Sequence, residues 1–209
     1  MYLISIIIIN TYWDELIKIK PGTYNGIGFG LESVVIKNKN INFNLVKSDY
    51  KNLVYEVNKK PSFPCYPRIS VSAIFIDKHN NIVLSQRSKL AGTYAGEISH
   101  YGGLVDYSLD VSEMYFFEYL KNEIIRELNE ECILSRPISL SDLTNFVGIN
   151  VFSDTLETDF FWVIRNSIPT MLKDNENRKI IKIPISKIST VINLNEVTKV
   201  AVKFVTSSD

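Results

Sequence analysis

The sequence predicts an α/β protein, and three patterns carry that prediction. Residues 69–86 alternate β-branched and polar side chains about the turn Lys78-His79-Asn80-Asn81, which reads as a β-hairpin. Residues 112–132 repeat apolar side chains at helical spacing. Two aromatic and β-branched runs, 146–152 and 160–164, then read as strands. The chain has 209 residues, 45% of them hydrophobic, which suits one domain of ordinary size, or one domain plus a small appendage, and excludes a disordered chain.

Charge and cysteine content narrow the function. The 23 basic and 23 acidic side chains cancel. A protein that coats nucleic acid through its phosphates is usually basic, so nucleic acid is not the expected partner. The two cysteines, Cys65 and Cys132, are too few for a disulfide scaffold or a four-cysteine zinc site. Sparse cysteine fits a reducing compartment, and a cytoplasmic location is expected. The apolar opening Tyr2-Leu3-Ile4-Ser5-Ile6-Ile7-Ile8-Ile9 is under half a membrane span and lacks a basic start. Its isoleucine run reads as a buried strand.

The remaining elements follow in order. After the strand at 2–9 come the turn-rich residues 21–30, strands at 29–37 and 41–46, and a short helix over 48–57 with Ser48 as its N-cap. Pro61, Pro64 and Pro67 fall within seven residues and mark an extended connector. The expected division is therefore a β-rich N-terminal extension, 1–66, and a larger domain, 67–209. Beyond the hairpin lie a loop with Gly92 and Gly96, the pair Gly102-Gly103, the long helix and its two strands. A strand at 179–185 and a segment 189–205, helical in its early part, complete the chain.

The long helix carries the chemistry. Glu127, Glu130 and Glu131 lie at i, i+3 and i+4, and Glu123 falls in the same arc of about 100°. Phe117, Leu120, Ile124 and Leu128 form the neighbouring apolar stripe. Like charges at this spacing destabilise a helix, and carboxylates at its C-terminal end oppose the macrodipole. A divalent cation would offset both, because Mg²⁺ takes oxygen ligands and keeps several waters for substrate phosphates to replace. A solvated acidic face is the alternative.

Glu118, seven intervening residues, then Arg126-Glu127-Leu128-Asn129-Glu130-Glu131 closely resemble the Nudix box, G-x5-E-x7-R-E-U-x-E-E-x-G-U with U aliphatic. Every position from the first glutamate to the double glutamate is matched. Gly102-Gly103 supply a glycine pair, but Glu118 arrives ten residues later than the pattern requires. Ile133 stands where the box closes with glycine, and Leu134 fills the final aliphatic position. The resemblance spans about 68–205 and implies an α/β/α sandwich around a mixed sheet. It further implies that Glu127, Glu130 and Glu131 ligate Mg²⁺ or Mn²⁺, that Arg126 holds the glutamates by salt bridges, and that Glu118 and Glu123 support the helix.

The insertion before the helix and the missing glycine are similar to the UDP-sugar diphosphatase branch of that superfamily. Tyr24-Asn25-Gly26, residues 45–53 and Arg87-Ser88 look similar to it too. That resemblance implies hydrolysis of a UDP-sugar to UMP and a sugar 1-phosphate. Glu127 is the first candidate for the base and Glu157, in the loop after residue 152, the second. Arg87, whose planar fork suits phosphate, and Gly102-Gly103 are the expected substrate contacts. Other Nudix pyrophosphohydrolases, acting on ADP-ribose, dinucleoside polyphosphates or an mRNA cap, remain alternatives. So does a non-catalytic nucleotide- or protein-binding module.

Gly26-x-Gly28-x-Gly30 precedes a strand, not a helix, and reads as a flexible turn. His100 is expected to be structural, His79 exposed in its turn, and Cys132 buried, since hard cations avoid thiolates. The extension has two open roles, completing the pocket or building a homodimer.

Overall fold

The hairpin at the centre of the chain forms as its alternation requires. In the computed structural model, which describes residues 2–19, 25–38, 40–59, 66–89, 95–108, 115–152, 156–173 and 177–207, strand β3 is Arg68–Ile76 and β4 is Asn81–Arg87. The preceding elements are helix α1 (Tyr2–Ile19), β1 (Ile27–Lys37), β2 (Asn40–Asp49) and α2 (Tyr50–Lys59). The following ones are β5 (Ile98–Ser99), β6 (Tyr101–Leu104), α3 (Phe116–Glu131) and β7 (Cys132–Leu134). Then come β8 (Phe146–Phe152), β9 (Glu157–Ile164), β10 (Pro169–Leu172), β11 (Asn177–Pro184) and α4 (Glu196–Ser207). This is a mixed α/β fold with a large, mostly antiparallel sheet. Most of the Pro-rich connector with Cys65, Tyr24, Gly92 and the insertion at 109–114 lie outside the described residues. Among the described residues no helix is long and apolar enough to cross a membrane.

Contacts divide the chain into two units. The first comprises residues 1–69, 104–109 and 151–158. Residues 2–9, expected as a strand, are instead the start of the 18-residue helix α1. A short isoleucine run is ambiguous between strand and helix, and each β-branched residue costs a helix only a few tenths of a kcal/mol. Beyond the run, Ile9, Tyr12, Trp13 and Leu16 keep helical spacing and are its least exposed described side chains. This face meets α2 through edge-to-face pairs, Trp13 with Tyr50 at 6.1 Å and Tyr12 with Tyr55 at 5.3 Å.

Ser48 is not the cap of α2. It lies in β2 opposite Gly28. The first turn of α2 is held from a distance, Tyr50 N–H donating to the Gly26 carbonyl at 2.9 Å and Lys51 N–H to Asn25 Oδ1 at 2.8 Å. Gly28 and Gly30 are strand residues, not a turn. A Cβ at 28 would overlap the guanidinium of buried Arg68 and the Val105 carbonyl, and one at 30 would meet Tyr66 at 2.8 Å. These glycines admit a close approach instead of a bend.

The second unit comprises residues 70–103, 110–150 and 159–209. β3 pairs antiparallel with β4 through Phe75–Val83 and Ile76–Ile82, and β4 pairs antiparallel with β11 along its length. β5 adds to β4, β6 and β9 to β3, and β8 to β9. The hairpin turn is closed by Asp77, whose Oδ1 accepts from His79 N–H and Asn81 N–H at 2.9 Å each. His79 is exposed, and Asn80 takes the left-handed conformation at φ 57°.

The core of this unit contains Phe75, Leu84, Tyr101, Leu120, Ile124, Leu128 and Trp162, all fully buried. Leu120, Ile124 and Leu128 are the apolar stripe of α3. Phe117, the fourth member, is more exposed and meets Phe146 edge-to-face at 4.8 Å and Trp162 at a tilt at 5.5 Å. Near the C-terminus, α-helix occupies the later part of 189–205, not the early part; residues Ile185–Thr190 are 3-10 helix. The helical signal was Asn195, whose Oδ1 accepts Thr198 N–H at 2.7 Å in the manner of an N-cap.

Candidate active site on helix α3

Helix α3 presents its carboxylates beside Gly102-Gly103 of strand β6, and Arg126 gathers three of them. Nη2 of Arg126 donates to Glu127 Oε1 at 2.7 Å and Glu123 Oε2 at 2.9 Å, and Nη1 donates to Glu130 Oε1 at 3.0 Å. Burial alone would weaken the guanidinium's hold on its proton, but these bonds and charges raise its pKa well above normal. Glu123 is buried, so its ion pair is shielded from water, whereas Glu130 is 61% exposed.

Glu127 is half-buried beneath Gly103. Desolvation pushes its carboxyl up to about 7; the Arg126 ion pair opposes that shift and the charges of Glu130 and Glu123 add to it. Glu131 turns to the strand, its Oε2 accepting Gly102 N–H at 2.9 Å. Geometry requires glycine at 102, and glycine at 103 leaves room for the Glu127 carboxylate. Gly102 has φ +135°, and a Cβ on it would run into the Val71 carbonyl oxygen; a Cβ on Gly103 would lie 2.5 Å from Glu127 Oε2.

Beside this strand lies a buried polar chain that the sequence reading did not assemble. Ser72 Oγ donates to Asp159 Oδ2 at 2.7 Å, and His100 Nε2 lies 3.9 Å from the same oxygen. His100 N–H donates to Thr198 Oγ1 at 3.0 Å, and its Nδ1 is 2.8 Å from that hydroxyl. Burial and the charge of Arg87 hold the imidazole down to about 3, so it stays neutral near pH 7. Asp159 and Ser72 carry no motif and sit inside apolar strands, which explains why they were missed.

The other sequence candidates fall as follows. Glu118 is exposed in the first turn of α3, where its charge complements the helix dipole. Arg87 ends β4, half-buried, with its backbone N–H on the Glu97 carbonyl at 2.8 Å. Glu157 belongs to the first unit and is the first residue of β9, not a loop residue. Cys132 is buried, its thiol directed at the Leu128 carbonyl.

The donor set is all carboxylate oxygen, the chemistry a hard cation needs. Among the described residues, however, no three acidic, histidine or cysteine groups are already drawn together as ligands. Arg126 holds Glu127 and Glu130, and Gly102 holds Glu131. One rotamer change at exposed Glu130 would free an oxygen.

Comparison with solved structures identifies the architecture. The MutT protein of Methanosarcina mazei Go1 superposes with a TM-score of 0.52 at 20% identity, over 68% of this chain and 95% of that one. The fold is a Nudix fold. Tm1382, described as a Nudix hydrolase, matches with a TM-score of 0.55 at 12% identity, covering 94% of this chain and 96% of its own. The Nudix domain of NrtR from Shewanella oneidensis, solved with ADP ribose, matches at 0.50 with 13% identity over 74% and 96%. No family model matches the sequence, and no curated protein matches it. Helix α3 carries Glu118, Glu123, Glu127, Glu130 and Glu131 in this fold.

Proposed function

We propose that this protein is a metal-dependent Nudix pyrophosphohydrolase. The observation that supports it best is the α3 carboxylate group clasped by Arg126 and set against Gly102-Gly103. The motif's chemical face is intact from Glu118 to Glu131, and that favours an enzyme over a binding module that has lost its glutamates. In this reading residues 67–209 form the catalytic domain and 1–66 its extension.

Glu127, Glu130 and Glu131 would hold Mg²⁺ or Mn²⁺. When bound, such a cation neutralises charge on phosphoryl oxygens and acidifies a water. The chain's own part is positional. Arg126 keeps Glu127 oriented, and Glu127, with its affinity for a proton raised by burial, is the first candidate to accept one from the attacking water. Glu157 is the second. Arg87 offers a planar donor fork for a substrate phosphate.

A UDP-sugar, cleaved to UMP and sugar 1-phosphate, is the favoured substrate. The shift of Glu118 away from Gly102 and Ile133 in place of glycine support that branch. Product analysis with Mg²⁺ and UDP-glucose, UDP-galactose, ADP-ribose, a dinucleoside polyphosphate and capped RNA tests it. UMP and sugar 1-phosphate are expected as the main products. Faster turnover of ADP-ribose or capped RNA would replace the substrate and keep the enzyme.

A further inference from the structure

We propose that His100 is a positioning residue for the α3 carboxylates: the N-terminal turn of α4 grips its backbone and its ring, and so fixes the main chain that carries Gly102 and Gly103. The inference rests on the reading of α3 as the helix of the proposed reaction. The part assigned to His100 is to hold a strand, not to touch substrate.

The segment ahead of Gly102 is bound to the start of α4 residue by residue. Ile98 N–H donates to the Asn193 carbonyl at 2.7 Å, and Asn195 N–H donates to the Ile98 carbonyl at 3.0 Å. Asn195 Nδ2 donates to Ser99 Oγ at 2.9 Å. His100 N–H then donates to Thr198 Oγ1, the hydroxyl that lies 2.8 Å from the ring Nδ1 of the same residue. Asn195 and Thr198 also cap α4, since Thr198 N–H donates to Asn195 Oδ1, so the helix start and residues 98–100 move as one. Ser99, Asn195 and Thr198 are buried, where water cannot replace a lost partner. Tyr101 follows, fully buried, its hydroxyl donating to the Leu84 carbonyl at 3.2 Å. Gly102 is next, with its N–H on Glu131 Oε2, and then Gly103 against Glu127.

The ring is oriented from both ends. Thr198 Oγ1 already accepts His100 N–H, and its single O–H can donate to Nδ1. The imidazole, kept neutral by burial and by the charge of Arg87, then carries its hydrogen on Nε2. Nε2 faces Asp159 Oδ2 at 3.9 Å, beyond direct hydrogen-bond distance, and Ser72 Oγ meets the two Asp159 oxygens at 2.7 and 2.9 Å. A hydrogen on Nε2 suits a carboxylate on that side, whereas a lone pair there would be repelled by it. Phe161 closes a further side edge-to-face at 6.0 Å. Thr198 therefore selects the tautomer, Asp159 favours the same one, and the residue two before Gly102 has one arrangement.

With only 2 histidines in the chain, nitrogen-15 NMR reads the ring directly, exposed His79 serving as the reference signal. Wild-type His100 is expected as the neutral Nε2–H tautomer. Thr198→Val should mix the tautomers and speed hydrogen exchange at the Gly102 amide about tenfold relative to the amides of β11. In the same variant kcat on the nucleotide panel should fall about tenfold with KM unchanged. Thr198→Ser, which keeps the hydroxyl, should restore all three. If Thr198→Val fails to fold, Asp159→Asn, which keeps an acceptor for Ser72, probes the ring from its other side and should also mix the tautomers. An Nδ1–H tautomer in the wild type, exchange that rises equally at Gly102 and in β11, or an unmoved kcat would each overturn the proposal. The NMR results as expected, with no turnover of any compound by the wild type, would sink the hydrolase reading and still support the hold on Gly102.

Discussion

Gly103 and Glu127 are in direct apposition: a Cβ on residue 103 would fall 2.5 Å from Oε2 of Glu127 and 2.7 Å from its carboxyl carbon. The obstacle is the end of a flexible side chain, so the fold can absorb the extra methyl while the carboxylate cannot stay in place. Gly103→Ala is expected to melt near the wild type and to lose about 10²-fold in turnover. A melting scan beside an assay of UMP formation separates the two effects.

Gly102 behaves differently. Its φ of +135° and the Val71 carbonyl make any Cβ a backbone clash. Gly102→Ala should cost about 2 kcal/mol or more of stability, read from a urea midpoint. Equal stability for the two alanine variants would contradict the geometry of this strand.

Arg126 holds buried Glu123 as well as Glu127. Removing the cation strands a buried carboxylate, so Arg126→Met should destabilise by about 2–4 kcal/mol. Adding Glu123→Gln to that variant should recover most of the loss. Denaturant titration of the four-member cycle measures the coupling directly.

Much of this site was legible because its determinants are local. Helical spacing alone puts Glu123, Glu127, Glu130 and Glu131 in one arc, and an alternating pattern with a short turn is enough for β3 and β4. The failures have a common cause in tertiary context. Ser48 could cap α2 by its type, but pairing with Gly28 claimed it for β2, and Asn25 acts from 26 residues away. Gly28 and Gly30 read as a turn because nothing in their neighbourhood announces that Arg68 and Tyr66 will press against them. The α1 reading stopped at Asn10, before Tyr12, Trp13 and Leu16 could reveal the helical period. Asp159 reaches Ser72 across 87 residues, a partnership no local pattern encodes.

Asp77 ties stability to acid. Burial alone would raise its pKa, but the bonds from Asn81 and His79 and the charge of Lys182 at 3.8 Å outweigh it, and the carboxyl is held below its usual value. A depressed folded-state pKa stabilises at pH values above the unfolded value near 4 and ceases to as pH falls through the folded one. Asp77→Ala should therefore cost about 1–2 kcal/mol at neutral pH. The difference from wild type should narrow as pH falls through the folded value, as chemical denaturation across pH would show.

In the proposed reaction the α3 carboxylates would hold a divalent cation that assists cleavage of a phosphoanhydride. The most direct measurement is turnover of the nucleotide panel by the wild type and by Glu131→Gln, each with Mg²⁺ and with chelator. The side-chain oxygen of glutamine can still accept Gly102 N–H, so the variant should fold as the wild type does. Turnover that requires Mg²⁺ and falls by orders of magnitude in Glu131→Gln is the expected result. Turnover unchanged by chelation or by the substitution would contradict the claim.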